Sequence, residues 1–297
     1  MQLSANGVRI EVDIHGPDSG EPLLMIMGLG MQLVAWPEGL VEALVGHGFR
    51  VIRFDNRDVG LSQPFDELGK PNVALAALLH TFHLPVKAPY QLADLARDAV
   101  GVLDALGIAQ AHVCGASMGG MVAQHLGFAH ASRVKSLALM MTTSGHRGLP
   151  APSLKVRRAL LSRPQRGSTS EQRLANILDH YVRLYGVIGS PGYPPAPEAL
   201  RERIAHGVKR SFRPQAVMRQ LVAIAADSRR AERLPRIAAP TLVIHGEHDS
   251  LIPVASAHDL AKRIPGARLE IIPGWGHDLP EALWPRLAAE VARTAGL

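Results

Sequence analysis

Two patterns of apolar and polar positions alternate along the chain. Residues 8–14 (VRIEVDI) switch between apolar and polar side chains, which is typical of a strand with one exposed face. Residues 22–28 (PLLMIMG) form a continuous apolar run, which is typical of a strand covered on both faces. Comparable segments predict further strands at 50–55, 111–115, 134–141, 240–246 and 267–274.

Helices are predicted between these strands. Residues 90–107 repeat apolar side chains at helical spacing and end on Gly107, which suits a C-terminal cap. The other predicted helices cover 37–47, 118–130, 254–264 and 281–294. Because strands and helices alternate, the sequence predicts an α/β fold with a mostly parallel sheet flanked by helices.

The alternation stops between residues 146 and 230. This stretch reads as helices broken by two loop-like segments, 162–168 (SRPQRGS) and 189–198 (GSPGYPPAPE), and it contains no convincing strand. The alternation of strands and helices resumes after it. The pattern therefore predicts one α/β domain that carries a helical insertion, rather than two independent halves.

Composition and charge narrow the possible partners. The 47% hydrophobic and 20% charged residues indicate a globular protein. The net charge of +6 and the pI near 9.8 would suit a nucleic acid partner. The basic residues are spread along the chain, however, and are densest at 155–158 (KVRR) and 228–230 (SRR). We expect these clusters to be solvated helix faces, and we expect no nucleic acid partner.

Cys114 is the only cysteine, which excludes an internal disulfide and a cysteine-rich zinc cluster. Its apolar neighbours predict a buried, unreactive thiol. The N-terminal residues lack the apolar stretch of a signal peptide, and no run approaches the ~18 apolar residues that a membrane span needs. We therefore expect a cytoplasmic protein without a membrane partner.

Residues 115–119 (GASMG) admit two kinds of chemistry. As a phosphate-binding loop they lack the lysine that the P-loop pattern requires after its glycines. As a sharp turn between a strand and a helix they present Ser117 as a nucleophile, with Gly115 and Gly119 giving the clearance that such a turn needs. The sequence context favours the nucleophile.

A dinucleotide site near the N-terminus is the main alternative. Gly28 and Gly30 follow one predicted strand and Asp55 ends the next, as in a dinucleotide-binding βαβ unit. The fingerprint needs a third small residue where this chain has Leu33. We therefore expect no nucleotide cofactor.

A nucleophilic serine needs a base and an acid. Asp249 lies just past one predicted strand and His277 just past the next. Because the carboxyl ends of parallel strands open on the same edge of a sheet, Ser117, His277 and Asp249 can converge there. The neighbouring acids, Glu247 and Asp278, are expected to be solvated loop residues.

Several of these segments together resemble the α/β-hydrolase family. They are MGLG (27–30), DNRDVGLS (55–62), GASMGG (115–120), GEHDSLIP (246–253) and GWGHD (274–278). Within the family, the chain is similar to serine carboxylesterases such as aclacinomycin methylesterase. It departs from many relatives at Met27, where a histidine is common, and at Asp58, where a glycine is usual.

The resemblance implies a sheet of about eight strands with a helical cap inserted after the sixth strand. The core would then comprise residues 1–145 and 230–297, and the cap residues 146–229.

The resemblance also implies a mechanism. Ser117 would attack an ester carbonyl to form an acyl-enzyme, His277 would act as the base, and Asp249 would orient the imidazole. The backbone N–H groups of Leu29 and Met118 would form the oxyanion hole. No metal or organic cofactor is expected.

We expect a small-molecule substrate, an apolar ester. A lactone, a thioester, an amide or a C–C bond next to a ketone could be cleaved by the same residues. A non-catalytic ligand-binding receptor with this fold is an alternative of a different class. The oligomeric state is left open.

Overall fold

The computed structural model describes residues 1–297, and an eight-stranded sheet lies at its centre. The strands are β1 (Gln2–Ala5), β2 (Val8–His15), β3 (Glu21–Ile26), β4 (Phe49–Phe54), β5 (Ala111–Ala116), β6 (Val134–Met140), β7 (Thr241–Gly246) and β8 (Arg268–Ile272). Their order in the sheet is β1-β2-β4-β3-β5-β6-β7-β8. The strands β1 and β2 are antiparallel to their neighbours and the other pairs are parallel. The prediction of a mostly parallel sheet of about eight strands is confirmed.

Ten α-helices lie between these strands or after the last of them. They are α1 (Glu38–Gly46), α2 (Val73–Thr81), α3 (Leu92–Ala105), α4 (Met118–Ala129), α5 (Leu154–Leu161), α6 (Ser170–Ile188), α7 (Pro197–Arg210), α8 (Pro214–Ala226), α9 (Ala255–Arg263) and α10 (Trp284–Ala295). One core cluster contains side chains of α3, α4 and α9, and the other contains side chains of α1 and α10. The predicted arrangement of helices on both faces is therefore confirmed.

The strand β3 shows why a continuous apolar run marks the centre of this sheet. Leu24 and Ile26 belong to one core cluster, whereas Leu23 and Met25 belong to the other. Successive side chains of a strand point to opposite faces, so a strand covered by helices on both sides needs apolar residues at every position.

Two elements were not among the predictions. The short edge strand β1 pairs only with β2. The helix α2 has the sequence VALAALLHT, which lacks a polar face that could reveal a helical period. The Asn72 side chain accepts a hydrogen bond from the Leu75 N–H and so caps the start of α2.

The helices α5 to α8 fill the chain between β6 and β7 without an intervening strand. The division into core and cap at residues 146 and 229 stays a prediction. No helix combines the length and the apolar character that crossing a membrane requires.

The two basic clusters differ in their surroundings. Lys155, Arg157 and Arg158 are exposed, as expected. The expectation of a solvated face is wrong for Arg230, which is only 2% exposed. Its guanidinium pairs with Asp227 and donates to the side chain and backbone acceptors of Gln124 and Thr143, and these acceptors allow the charge to be buried.

Candidate active site

Ser117 lies on a strained turn between β5 and α4. Its φ of 54° and ψ of −118° are uncommon for a residue with a side chain. A Cβ at Gly115 would clash with the backbone of Gly119, and a Cβ at Gly119 would clash with the carbonyl oxygen of Ile26. The turn is therefore so tight that both flanking positions require glycine.

The backbone of Ser117 is held by the neighbouring strand end. Its N–H donates to the carbonyl oxygen of Met140 at 3.0 Å, and its own carbonyl oxygen accepts from the Thr142 hydroxyl at 2.6 Å. These bonds keep the serine at the carboxyl edge of the sheet although its backbone is strained.

The structure brings the three predicted side chains of the triad together at this edge. Nε2 of His277 lies 3.1 Å from Oγ of Ser117, and Nδ1 of His277 lies 2.6 Å from Oδ2 of Asp249. Asp249 and His277 are 4% and 9% exposed. They follow the ends of β7 and β8, which lie beyond β6 on the same side of β5. The distances allow a proton to pass from the hydroxyl to the imidazole.

Asp249 is tied into the loop after β7. Its Oδ1 accepts from the N–H groups of Leu251 and Ile252 at 2.9 and 2.8 Å. Nε2 of the buried His245 lies 3.4 Å from its Oδ2. Burial works to raise the pKa of Asp249, but attraction to His277 and hydrogen bonds from His245 and His277 outweigh it, so that the pKa lies below its ordinary value. The carboxylate is therefore ionised at neutral pH.

The two neighbouring acids do not share one environment. Glu247 is exposed, as expected. The expectation of a solvated residue is wrong for Asp278, which is 6% exposed and accepts a hydrogen bond from the Ser190 hydroxyl. Burial raises the pKa of Asp278, although the bonds from Ser190 work against this. The C-terminal end of α6 lies over this loop, as the 2.8 Å bond from the His277 N–H to the Ile188 carbonyl oxygen shows.

The loop after β3 lies directly against the serine. A Cβ at Gly28 would lie 3.2 Å from Cβ of Ser117. The N–H of the next residue, Leu29, donates to no protein atom. The Met118 N–H opens α4 and so has no acceptor within the helix. Two backbone donors next in the chain to Gly28 and Ser117 therefore have no acceptor in the protein, and they are the residues that the family resemblance predicts for an oxyanion hole.

The dinucleotide alternative does not fit this loop. Leu33 begins a short 3-10 turn, not an α-helix whose N-terminus could face a phosphate. The Leu33 N–H donates to Oδ1 of Asp55 at 2.7 Å. Oδ2 of Asp55 accepts from the Leu61 N–H and from the Arg210 guanidinium. The acid that a ribose would need is therefore occupied by protein donors.

Asp58 takes the backbone conformation that favours glycine, with φ of 73°. Its carboxylate pairs with the buried guanidinium of Arg219 from α8, at 2.6 Å to Nε and 2.8 Å to the terminal nitrogen. The Tyr90 hydroxyl donates to the same carboxylate. The departure from glycine at this position therefore comes with a buried ion pair to the helical insertion.

Two other residues that the sequence analysis singled out, Cys114 and Met27, are buried. Cys114 is fully buried, and burial raises the pKa of its thiol to about 12. Met27, at the start of the loop after β3, is a core residue. No group of three or more His, Cys, Asp or Glu side chains is arranged to hold a metal ion.

The sequence pattern did not single out the insertion residues that bind the loop after β3. Gln220 of α8 and Arg210 of α7 bond to this loop. They lie more than 150 residues away along the chain, so no local pattern reveals the contact.

Comparison with known proteins agrees with this fold. The α/β-hydrolase fold family matches residues 21–281. Rhodomycin D methylesterase DauP from Streptomyces sp. (strain C5) is 31% identical, and the match covers 93% of this chain and 91% of that protein. The 2-hydroxymuconate semialdehyde hydrolase from Pseudomonas sp. (strain CF600) is 29% identical, and the match covers 93% of this chain and 86% of that protein.

Among solved structures, the enol-lactonase from Burkholderia xenovorans LB400 shares the fold. The TM-score is 0.71 with 24% sequence identity, and the match covers 100% of both chains. The family match over most of the sequence, the methylesterase relative and the sheet topology agree. The chain therefore belongs to the α/β-hydrolase fold family.

Proposed function

We propose that this carboxylic ester hydrolase cleaves small, apolar esters through an acyl-enzyme on Ser117. The observation that carries the proposal is the hydrogen-bonded chain from Ser117 Oγ through the His277 imidazole to the Asp249 carboxylate. A serine hydroxyl is a weak nucleophile until an adjacent base accepts its proton. His277 is within reach of that proton, and Asp249 accepts from the opposite side of the ring.

The first half-reaction forms the acyl-enzyme. Nε2 of His277 takes the hydroxyl proton as Oγ of Ser117 attacks the ester carbonyl carbon, which gives a tetrahedral oxyanion and an imidazolium. The ionised Asp249 stabilises this imidazolium. The imidazolium then gives its proton to the leaving alcohol as the C–O bond to that alcohol breaks.

The second half-reaction releases the acid. His277 takes a proton from a water molecule as the water oxygen attacks the acyl carbon. The second tetrahedral oxyanion collapses, the bond to Ser117 Oγ breaks, and Oγ recovers the proton from the imidazolium. The serine is thereby regenerated without any other reactant.

The free N–H groups of Leu29 and Met118 are the proposed oxyanion donors. Their proximity to Ser117 supports the role, since a donor acts where negative charge develops on the former carbonyl oxygen. Each donor in such a hole is worth about 3 kcal/mol of the activation barrier.

The ester class is supported by the 31% identity to a methylesterase over 93% of the chain. We therefore include methyl esters among the first substrates to be tested. Lactones, thioesters, amides and C–C bonds next to a ketone are cleavable by the same triad and form the comparison set. A receptor that binds an ester without cleaving it would show saturable binding and no turnover.

The proposal is tested with a fluorophosphonate probe and a panel of methyl and p-nitrophenyl esters of increasing acyl length. We expect one equivalent of probe on Ser117 and turnover of at least one ester. Ser117→Ala should abolish both. The matched control is Ser132→Ala, because Ser132 is exposed and its side chain makes no hydrogen bond. Labelling or turnover that survives in Ser117→Ala contradicts the proposal.

A further inference from the structure

The insertion helix α8 reaches the loop that carries the proposed oxyanion donor. Oε1 of Gln220 accepts from the Gly30 N–H at 2.8 Å. Nε2 of Gln220 lies 3.4 Å from the carbonyl oxygen of Arg57. The Gln220 side chain is fully buried, so water cannot replace the bond that it makes with Gly30.

The same helix also packs on Gly30 itself. The backbone there has φ of 66°, and a Cβ at this position would lie 2.6 Å from a methyl group of Val217. Val217 and Gln220 are three residues apart and therefore lie on one face of α8. The loop is thus held by this helix face through both packing and a hydrogen bond.

A second attachment lies two residues further along the loop. Nε2 of Gln32 donates to the carbonyl oxygens of Gly207 and Ser211, at 2.6 and 2.8 Å, at the end of α7. Arg210 donates to Oε1 of Gln32 and to Oδ2 of Asp55, both at 2.7 Å. Every polar atom of the Gln32 side chain is therefore bonded to the insertion.

We infer that Gln220 is a positioning residue for the oxyanion hole, which makes the insertion a part of the catalytic apparatus. Gln220 accepts the hydrogen bond of the Gly30 N–H. Of the neighbouring N–H groups of Leu29 and Gly30, only that of Leu29 therefore remains free to donate to the oxyanion. It also fixes the peptide next to Leu29. The inference rests on the proposed function, because it presupposes that Leu29 donates to an oxyanion formed at Ser117.

A residue that positions an oxyanion donor affects the transition state more than the bound substrate. The donor must meet an oxygen whose charge appears only in the tetrahedral state, and small displacements weaken that contact. The loss of Gln220 should therefore lower kcat and leave KM nearly unchanged.

The test compares Gln220→Met with Gln215→Met. Gln215 lies on the same helix but is exposed and makes no side-chain hydrogen bond, so it controls for the change in residue type. We expect Gln220→Met to lower kcat by roughly 10- to 100-fold, less than the 10²- to 10³-fold loss when a whole donor is removed. The control should keep the wild-type kcat.

A pair of inhibitors separates positioning from a general loss of structure. A trifluoromethyl ketone forms a tetrahedral adduct with the serine, whereas the matching methyl ketone only occupies the site. In Gln220→Met the affinity for the trifluoromethyl ketone should fall by the same factor as kcat/KM, and the affinity for the methyl ketone should not change. An equal fall for both ketones, or an unchanged kcat, overturns the inference.

Two further variants cover the other outcomes. Gln220→Glu keeps an acceptor for the Gly30 N–H and should recover part of the lost kcat. If Gln220→Met does not fold, Gln32→Met tests the second attachment and should lower kcat in the same selective way. Activity that survives in Ser117→Ala would refute the proposed function itself, whereas a normal Gln220→Met beside an inactive Ser117→Ala refutes only this inference.

Discussion

Nδ1 of His277 lies 2.6 Å from Oδ2 of Asp249, and both side chains are buried. The second carboxylate oxygen of Asp249 is bonded to two backbone N–H groups, so the carboxylate cannot rotate freely. This arrangement fixes the ring of His277 with the proton on Nδ1 and leaves Nε2 free to accept a proton.

Asp249→Asn should lower kcat by ~10⁴-fold, because an amide in place of the carboxylate favours the wrong tautomer of the histidine. Steady-state hydrolysis of the best ester from the panel measures the loss. Glu247→Gln is the control, since Glu247 is exposed and lies two residues away. We expect Asp278→Asn to have a far smaller effect than Asp249→Asn. A larger loss of kcat in Glu247→Gln or Asp278→Asn than in Asp249→Asn would show that Asp249 is not the acid of the triad.

Ligand-dependent stability distinguishes the hydrolase from a dinucleotide-binding protein. A boronate or a trifluoromethyl ketone should raise the free energy of unfolding by about 2.7 kcal/mol at a hundredfold excess over Kd. NAD and NADP should cause no shift in Tm, because Asp55 is occupied by protein donors. The stabilisation by the boronate or the trifluoromethyl ketone should largely disappear in Ser117→Ala. Saturable binding of NAD, together with no stabilisation by these two inhibitors, would contradict the proposal of a serine hydrolase.

Gly119→Ala tests the tight turn at the serine. Alanine is the better helix former, by about 1 kcal/mol, and would stabilise most helical positions. At Gly119, however, the added methyl group would clash with the carbonyl oxygen of Ile26. We expect a lower Tm and a large loss of esterase activity in this variant.

Gly186→Ala is the matched control for this change. Gly186 also lies within a helix, α6, but a Cβ there would meet no atom within 4 Å. Its Tm should therefore stay the same or rise. If both variants were equally stable and active, the turn would have more room than the structure indicates.

The buried pair of Arg219 and Asp58 should contribute strongly to stability. Arg219→Met leaves the buried Asp58 carboxylate without its cation, and the loss of one partner of such a pair costs about 3–5 kcal/mol. Urea unfolding measures this loss. Arg158→Met, at an exposed position, should change the free energy of unfolding by less than about 0.5 kcal/mol.

A double variant separates the charge from the packing. Asp58→Gly removes the buried carboxylate and suits the backbone φ of 73° at this position. Added to Arg219→Met, it should recover a substantial part of the lost stability. A double variant that is less stable than Arg219→Met alone would show that the unpaired charge is not the cause.

The sequence by itself determined the strands of the sheet other than β1, and the candidates for the triad. The apolar run of β3 identified a strand buried on both faces, because such a strand shows no alternation. Gly115 and Gly119 marked a turn with no room for side chains. The positions of Asp249 and His277 after strands sufficed to place them near one edge, since parallel strands end on the same side.

Only the tertiary structure decided which polar residues are buried and what they bind. The sequence predicts Asp278 and Arg230 to be surface residues, yet both are buried. Asp278 bonds to Ser190 and Arg230 bonds to Gln124, and each partner is distant along the chain. The bond between Gln220 and Gly30 spans 190 residues. Local patterns of polarity report the period of a helix or strand and the conformations that its residues allow. They carry no information about which distant surface supplies a hydrogen-bond acceptor, because that depends on how the insertion packs on the core.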